Sequence, residues 1–166
     1  MIKICVIGLG YVGLPLSIQI SKKFETIGFD INLERIKNLN NHVDINNEFK
    51  KIDFKNKKIS FTSKISKIKS CNFYIICVPT PITKKNIPDL KPVKKSIETI
   101  SKILKKGDLV VLESTVYPGV TSNCENYLEK KTKLINNKDF YLCYSPERIN
   151  PGDKKNNLNK INKIFA

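Results

Sequence analysis

The chain has 166 residues, the length of one domain, and its 40% apolar content is ordinary for a soluble protein. No apolar run nears the ~20 residues of a membrane span, and Met1 leads straight into an apolar strand, so neither a span nor a signal peptide is expected and the chain is placed in the cytoplasm. The net charge of +15 comes almost wholly from lysine, Arg35 and Arg148 being the two arginines, and the lysines are scattered among Asn and Ile with no aromatic-interleaved basic motif, so a solvated lysine surface rather than a nucleic-acid partner is expected.

The first element is a short apolar strand, Lys3 to Ile7, running directly into Gly8-Leu9-Gly10-Tyr11-Val12-Gly13. This G-x-G-x-x-G turn stands where it carries meaning, after a strand and before a helix-like apolar stretch of Leu14, Leu16, Ile18, Ile20 and Phe24. Gly8 permits the tight turn, Gly10 lets backbone approach a pyrophosphate, and Gly13 lets the helix pack close to the sheet. The turn, with Tyr11 and Val12 inside it, is therefore the predicted dinucleotide cradle, the helix start offering its free N–H groups to the anion.

A second strand, Thr26 to Phe29, ends in Asp30, twenty-two residues after Gly8. A carboxylate there accepts hydrogen bonds from a ribose diol. It also repels a 2′-phosphate, by ~4 kcal/mol per pair of unit charges near 4 Å at an effective dielectric near 20 and less where water screens it. NAD is thus favoured over NADP. Arg35 complicates the choice, since an arginine can hold a 2′-phosphate; Asp30 weighs more because it sits at the strand end itself.

The stretch from Ile36 to Lys58 is polar, with a helical start at Arg35, Ile36 and Leu39 and then loop or short turns. Ile59 to Thr62 reads as a third strand, and Phe73 to Val78 as a buried central one. The latter stops at Pro79-Thr80-Pro81, where two prolines turn the backbone away at the strand's carboxyl end, the end at which doubly wound sheets bind ligands. Pro92 opens a helix carrying Val93, Ile97, Ile100 and Leu104, stopped by Gly107. Leu109 to Leu112 is the next strand, ending in Glu113-Ser114-Thr115. A helix near Thr121 to Lys131 and a strand from Phe140 to Tyr144 follow, the strand ending in Ser145-Pro146-Glu147-Arg148. The alternation predicts an α/β fold, a Rossmann-type doubly wound parallel sheet with helices on both faces. Thr80, Thr115 and Glu147 then belong on the sheet edge that carries the glycine turn.

Cys5, Cys71, Cys77, Cys124 and Cys143 form an odd set without a C-x-x-C pair, so neither a disulfide framework nor a metal site is expected. Cys5, Cys77 and Cys143 read as core residues; Cys77, at a strand end, is the one candidate for a reactive thiol, ranked below the core reading. His42, the single histidine, has no second imidazole to share a metal or a triad.

The segments Gly8 to Pro15, Gly28-Phe29-Asp30-Ile31-Asn32, Val78-Pro79-Thr80-Pro81, Glu113 to Gly119 and Ser145-Pro146-Glu147-Arg148-Ile149-Asn150-Pro151-Gly152-Asp153 occur in that order. Together they resemble the N-terminal, NAD-binding domain of the UDP-glucose/GDP-mannose dehydrogenase family, most closely its UDP-N-acetyl-hexosamine 6-dehydrogenases of bacterial surface-polysaccharide synthesis. The resemblance covers essentially the whole chain. It implies oxidation of the C6 hydroxymethyl of a UDP-sugar substrate to the carboxylate with two NAD⁺, through a cysteine that holds the aldehyde and then the thioester, in a full-length enzyme that is a homo-oligomer. It further implies that Thr80 and Thr115 contact NAD, that Thr115 also holds the catalytic water, that Glu147 assists thioester hydrolysis, and that Arg148 and Ile149 lie beside the sugar. The family's cysteine, lysine and asparagine fall downstream of these motifs, and none of the five cysteines aligns with the nucleophile, so residues 1–166 are expected to be a cofactor domain cut short at Phe165-Ala166 and inactive alone. His42 stands where the family usually has glycine, and Asn156-Asn157 where histidine and arginine are common. Two other readings stay open: a non-catalytic dinucleotide-binding module, and a dehydrogenase of the same family acting on UDP-glucose.

Overall fold

The computed structural model describes residues 1–47, 49–55, 58–147 and 164–166. Six parallel strands form one sheet: β1 (Lys3–Ile7), β2 (Glu25–Phe29), β3 (Ile59–Thr62), β4 (Phe73–Ile76), β5 (Leu109–Leu112) and β6 (Tyr141–Tyr144), in the order β3-β2-β1-β4-β5-β6. The expected doubly wound α/β architecture is the one observed. The strands β1, β4 and β5 are unbroken apolar runs because both of their faces are covered. Cys5 and Ile7 join one core with Tyr74, Ile76, Val110 and Leu112, while Ile4 and Val6 join another with Ile75 and Val111.

The helices divide between the two faces. On the first lie α3 (Ile65–Ile68), α4 (Lys91–Ser101) and α5 (Val120–Thr132), through Ile68, Val93, Ile97, Ile100, Val120 and Leu128. On the second lie α1 (Gly13–Ile20) and α2 (Leu33–Asn40), through Leu14, Ile18, Ile36 and Leu39. Parallel strands joined by right-handed crossovers place their helices this way when strand order reverses between β1 and β4. All six carboxyl ends share one edge, and the reversal opens a crevice there.

Some elements differ from the sequence-based bounds: the helix expected to run to Gly107 ends at Ser101, and one strand stops early for a visible reason. The strand predicted to reach Val78 ends at Ile76, because the next turn is drawn toward β5: the N–H groups of Glu113 and Ser114 both donate to the Ile76 carbonyl, at 3.0 and 3.1 Å, and Ser114 Oγ donates to the Val78 carbonyl at 2.7 Å. Among its described residues, the polar stretch after Leu39 has the loop and short turns expected of it. It contains a 3₁₀ turn, Lys51–Phe54, whose buried Phe54 meets Phe49 and Phe61 edge-on. His42 stacks on Phe54 with ring centroids 5.6 Å apart, and its φ of 58° is the left-handed conformation that glycine adopts freely.

Candidate dinucleotide site

The glycine turn after β1 is built from three glycines with three separate jobs. Gly8 has φ +91°, and a Cβ there would lie 2.9 Å from the Cys77 carbonyl oxygen. A Cβ on Gly13 would lie 1.8 Å from the carbonyl oxygen of Gly8, so the start of α1 lies directly on the turn. A Cβ on Gly10 would meet nothing within 4 Å, and the residue is exposed. Gly8 and Gly13 are thus required by the fold, whereas Gly10 keeps open a space that the fold itself does not use. No side chain caps the first turn of α1; the Leu14 N–H donates to the Gly10 carbonyl at 3.2 Å, and the positive dipole end lies at the glycine turn. Tyr11 is 55% exposed and Val12 half-buried at the same end.

Asp30 follows β2 beside this turn and is already oriented. Its Oδ2 accepts from the Leu9 N–H at 2.8 Å and its Oδ1 from the Asn32 N–H at 2.9 Å. Asn32 in turn caps α2, its Oδ1 accepting from the Arg35 N–H at 3.1 Å. Arg35, in the first turn of α2, points inward. Its Nε donates to the Leu9 carbonyl at 2.9 Å and its Nη1 to Asp44 Oδ1 at 2.7 Å, the two side chains being 6% and 0% exposed. Its Nη2 is buried with no hydrogen-bond partner among the described residues. Leu9 is therefore gripped on both sides, by a carboxylate at its N–H and a guanidinium at its carbonyl. Sequence reasoning missed Asp44, which offered no signal beyond being an acid in an Asn-rich stretch.

Across the crevice, Pro79 and Thr80 follow β4 and Thr115 follows β5. Thr80 Oγ1 donates to the Thr115 carbonyl at 2.8 Å, tying the two loops together; Pro79 and Thr115 are exposed and Thr80 half-buried. Glu147 follows β6 on the same edge, half-buried, after the Ser145 N–H has donated to the Leu112 carbonyl at 3.0 Å. The glycine turn, Asp30, Thr80, Thr115 and Glu147 thus share the carboxyl edge of one parallel sheet. Arg148 and Ile149 lie outside the described residues, as do Asn156 and Asn157.

The thiols stand apart from this chemistry. Burial pushes the Cys5 thiol up, and burial raises that of Cys124 to about 11. Burial also raises Cys143, with the Glu113 carboxylate adding to it. Cys71 is lowered by its hydrogen bond with Cys5, but it is fully buried just before β4, at the opposite edge of the sheet. Cys77 is buried behind the glycine turn. Among the described residues no three His, Cys, Asp or Glu side chains are gathered as a metal site, and no helix is long and apolar enough to cross a membrane.

The residues present fit a dinucleotide. The space above Gly10 suits a pyrophosphate, and Asp30 has lone pairs for a diol. Comparison with known proteins agrees. Residues 2–165 match the family model described as the NAD binding domain of the UDP-glucose/GDP-mannose dehydrogenase family. The chain is 52% identical to the UDP-N-acetyl-D-glucosamine 6-dehydrogenase of Salmonella typhi and 47% identical to that of Pseudomonas aeruginosa, in each case over 99% of this chain and 39% and 40% of the relative. It superposes on the UDP-D-ManNAc dehydrogenase of Pyrococcus horikoshii with a TM-score of 0.85 at 36% identity, over 91% of this chain and 37% of that one. The chain spans about two fifths of the length of the curated relatives it matches.

Proposed function

The chain belongs to the UDP-glucose/GDP-mannose dehydrogenase family, as its NAD binding domain, and from that membership we propose that it is the cofactor half of an NAD-dependent 6-dehydrogenase acting on a UDP-N-acetyl-hexosamine. The observation that carries the reading is the open space over Gly10 at the strand-order reversal, with Asp30 fixed beside it. The choice of sugar rests on relatives near half identity that are named for UDP-N-acetyl-D-glucosamine.

When bound, NAD supplies the acceptor for the hydride leaving C6. Gly10 to Gly13 and the start of α1 hold the pyrophosphate, with Tyr11 and Val12 flanking it. Asp30 accepts from the adenosine ribose hydroxyls, and Arg35 holds the Leu9 carbonyl of the turn beside it. Pro79, Thr80 and Thr115 line the opposite wall of the crevice and fix the nicotinamide end, the Thr80–Thr115 bond holding both loops at one separation. Thr115 positions a water, and Glu147 takes a proton from it as thioester is hydrolysed. Arg148 and Ile149 contact the sugar. The nucleophilic cysteine is none of the five present here. The enzyme works in the cytoplasm, as a homo-oligomer, on a nucleotide sugar destined for surface polysaccharide.

A chimera tests this. This chain replaces the first two fifths of the Salmonella typhi relative, and NADH formation is followed with UDP-N-acetylglucosamine, UDP-N-acetylgalactosamine and UDP-glucose. The chimera is expected to turn over an N-acetylated sugar, and Glu147→Gln to lower its kcat about 10²- to 10⁴-fold. A folded chimera that binds NADH yet prefers UDP-glucose, or one indifferent to Glu147→Gln, overturns the substrate or the residue role respectively.

A further inference from the structure

We infer that Asp44 sets cofactor choice: by pairing with Arg35 inside the fold it cancels the guanidinium charge beside Asp30 and so denies a 2′-phosphate its anchor. The inference rests on the reading that Asp30 takes the adenosine ribose.

Asp30 and Arg35 grip the same residue of the glycine turn, through the N–H and the carbonyl of Leu9, at 2.8 and 2.9 Å. The guanidinium therefore lies across Leu9 from the ribose carboxylate. An arginine in this region is the usual means of accommodating a 2′-phosphate. Here its Nη1 is committed to Asp44 at 2.7 Å, with both side chains buried. Asp44 is itself held in place, accepting from the N–H groups of Asn46 and Phe49 at 3.2 and 3.3 Å. Away from solvent such a pair is weakly screened by salt. Asp30, Arg35 and Asp44 together carry a net charge of −1. A neutral ribose diol needs no cation, because the Asp30 carboxylate accepts from it. A 2′-phosphate dianion needs net positive charge, which Asp44 has removed. Asp44 is thus a specificity-determining residue that acts through Arg35, without touching the cofactor.

The test measures NADH and NADPH dissociation constants by fluorescence, with thermal melts, on the 166-residue chain and its variants. Asp44→Asn keeps the shape and brings the cluster to zero charge. It is expected to lower the preference for NADH over NADPH at least about tenfold. The double variant Arg35→Met/Asp44→Met removes both charges and returns the cluster to the single charge of Asp30. Its preference is expected within about threefold of native, with both cofactors bound more weakly because the Leu9 carbonyl has lost its donor. A folded Asp44→Asn chain that weakens both cofactors alike, at native preference, has shown a merely structural role and overturns the inference. A double variant whose preference for NADH rises tenfold also overturns it, since Arg35 would then already attract a 2′-phosphate in the native chain. If Asp44→Asn does not fold, the double variant decides, because removing both members of a buried pair leaves no uncompensated charge. Asp30→Asn is the control for the premise. Unchanged affinity and unchanged preference there would overturn the ribose reading, and the inference with it, whatever Asp44 does.

Discussion

Gly10 and Gly13 are identical in the motif and opposite in their physics. A methyl group on Gly13 would be driven into the Gly8 carbonyl at 1.8 Å, whereas one on Gly10 enters open space. Gly13→Ala is therefore expected to cost about 3 kcal/mol or more of stability, seen as a large drop in melting temperature. Gly10→Ala is expected to melt as the native chain does and to lose at least about tenfold in NADH affinity, measured by fluorescence titration. Equal losses of stability in the two variants would mean that the space over Gly10 is structural and not kept for a ligand. The motif pattern distinguishes neither glycine; only the packing around each does. Asp30 was legible at the same scale because a carboxylate at a strand end is a local signal. The inward turn of Arg35 was not, since it depends on Asp44, nine residues on, and on the Leu9 carbonyl, twenty-six residues back.

Long apolar runs and strong breakers were what the sequence made plain at the scale of elements. The β1 and β5 bounds follow from apolar runs ended by glycine or polar residues, and the start of α4 from Pro92, although that helix ends at Ser101, before the Gly107 expected to stop it. What escaped was short or irregular. The four residues of α3 bury Ile68 alone, too few for a period to appear. The 3₁₀ turn at Lys51–Phe54 is made by the Lys50 N–H donating to Asp53 Oδ2 at 2.7 Å and by the burial of Phe54 against residues distant in sequence. The end of α5 shows the opposite case, local chemistry at odds with the fold. Lys133 terminates the helix with φ 63°, its N–H donating to the Glu129 carbonyl at 2.9 Å, and it is exposed. Glycine takes that conformation without the Cβ penalty of about 1–2 kcal/mol. Lys133→Gly is expected to stabilise the chain by about 1 kcal/mol, raising the melting temperature by a few degrees without altering NADH affinity. A lower melting temperature would show that the lysine stem contributes more packing than its exposure indicates.

Across the whole molecule, the sheet gathers the proposed cofactor residues on one edge and leaves the thiols buried or half-buried in the core. Oxidation of an alcohol through the aldehyde to the acid requires a thiolate that adds to the carbonyl, and a thiol serves there only when it is reachable and held near its anionic form. Cys5, Cys124 and Cys143 have thiols pushed up by burial. Cys71, whose thiol is lowered, sits fully buried at the amino edge, on the far side of the sheet from Gly10 and Glu147. That leaves Cys77, which lies close to the glycine turn but is buried behind it, its Cβ 3.1 Å from where a Cβ on Gly13 would stand. A substrate carbonyl could reach Cys77 only by displacing the glycine turn, so under the proposed reading cofactor and nucleophile would exclude each other. Residues 1–166 are accordingly expected to bind NADH and yet to sustain no oxidation of UDP-N-acetylglucosamine, UDP-N-acetylgalactosamine or UDP-glucose to the acid when supplied with NAD. The assay is absorbance at the nicotinamide band over many enzyme equivalents, with thiol labelling in parallel. Slow labelling of all the buried cysteines in the folded chain and no turnover is the outcome that the packing requires. Sustained turnover with any of the three sugars, abolished by Cys77→Ser in a chain that still folds, would place the nucleophile behind the glycine turn after all.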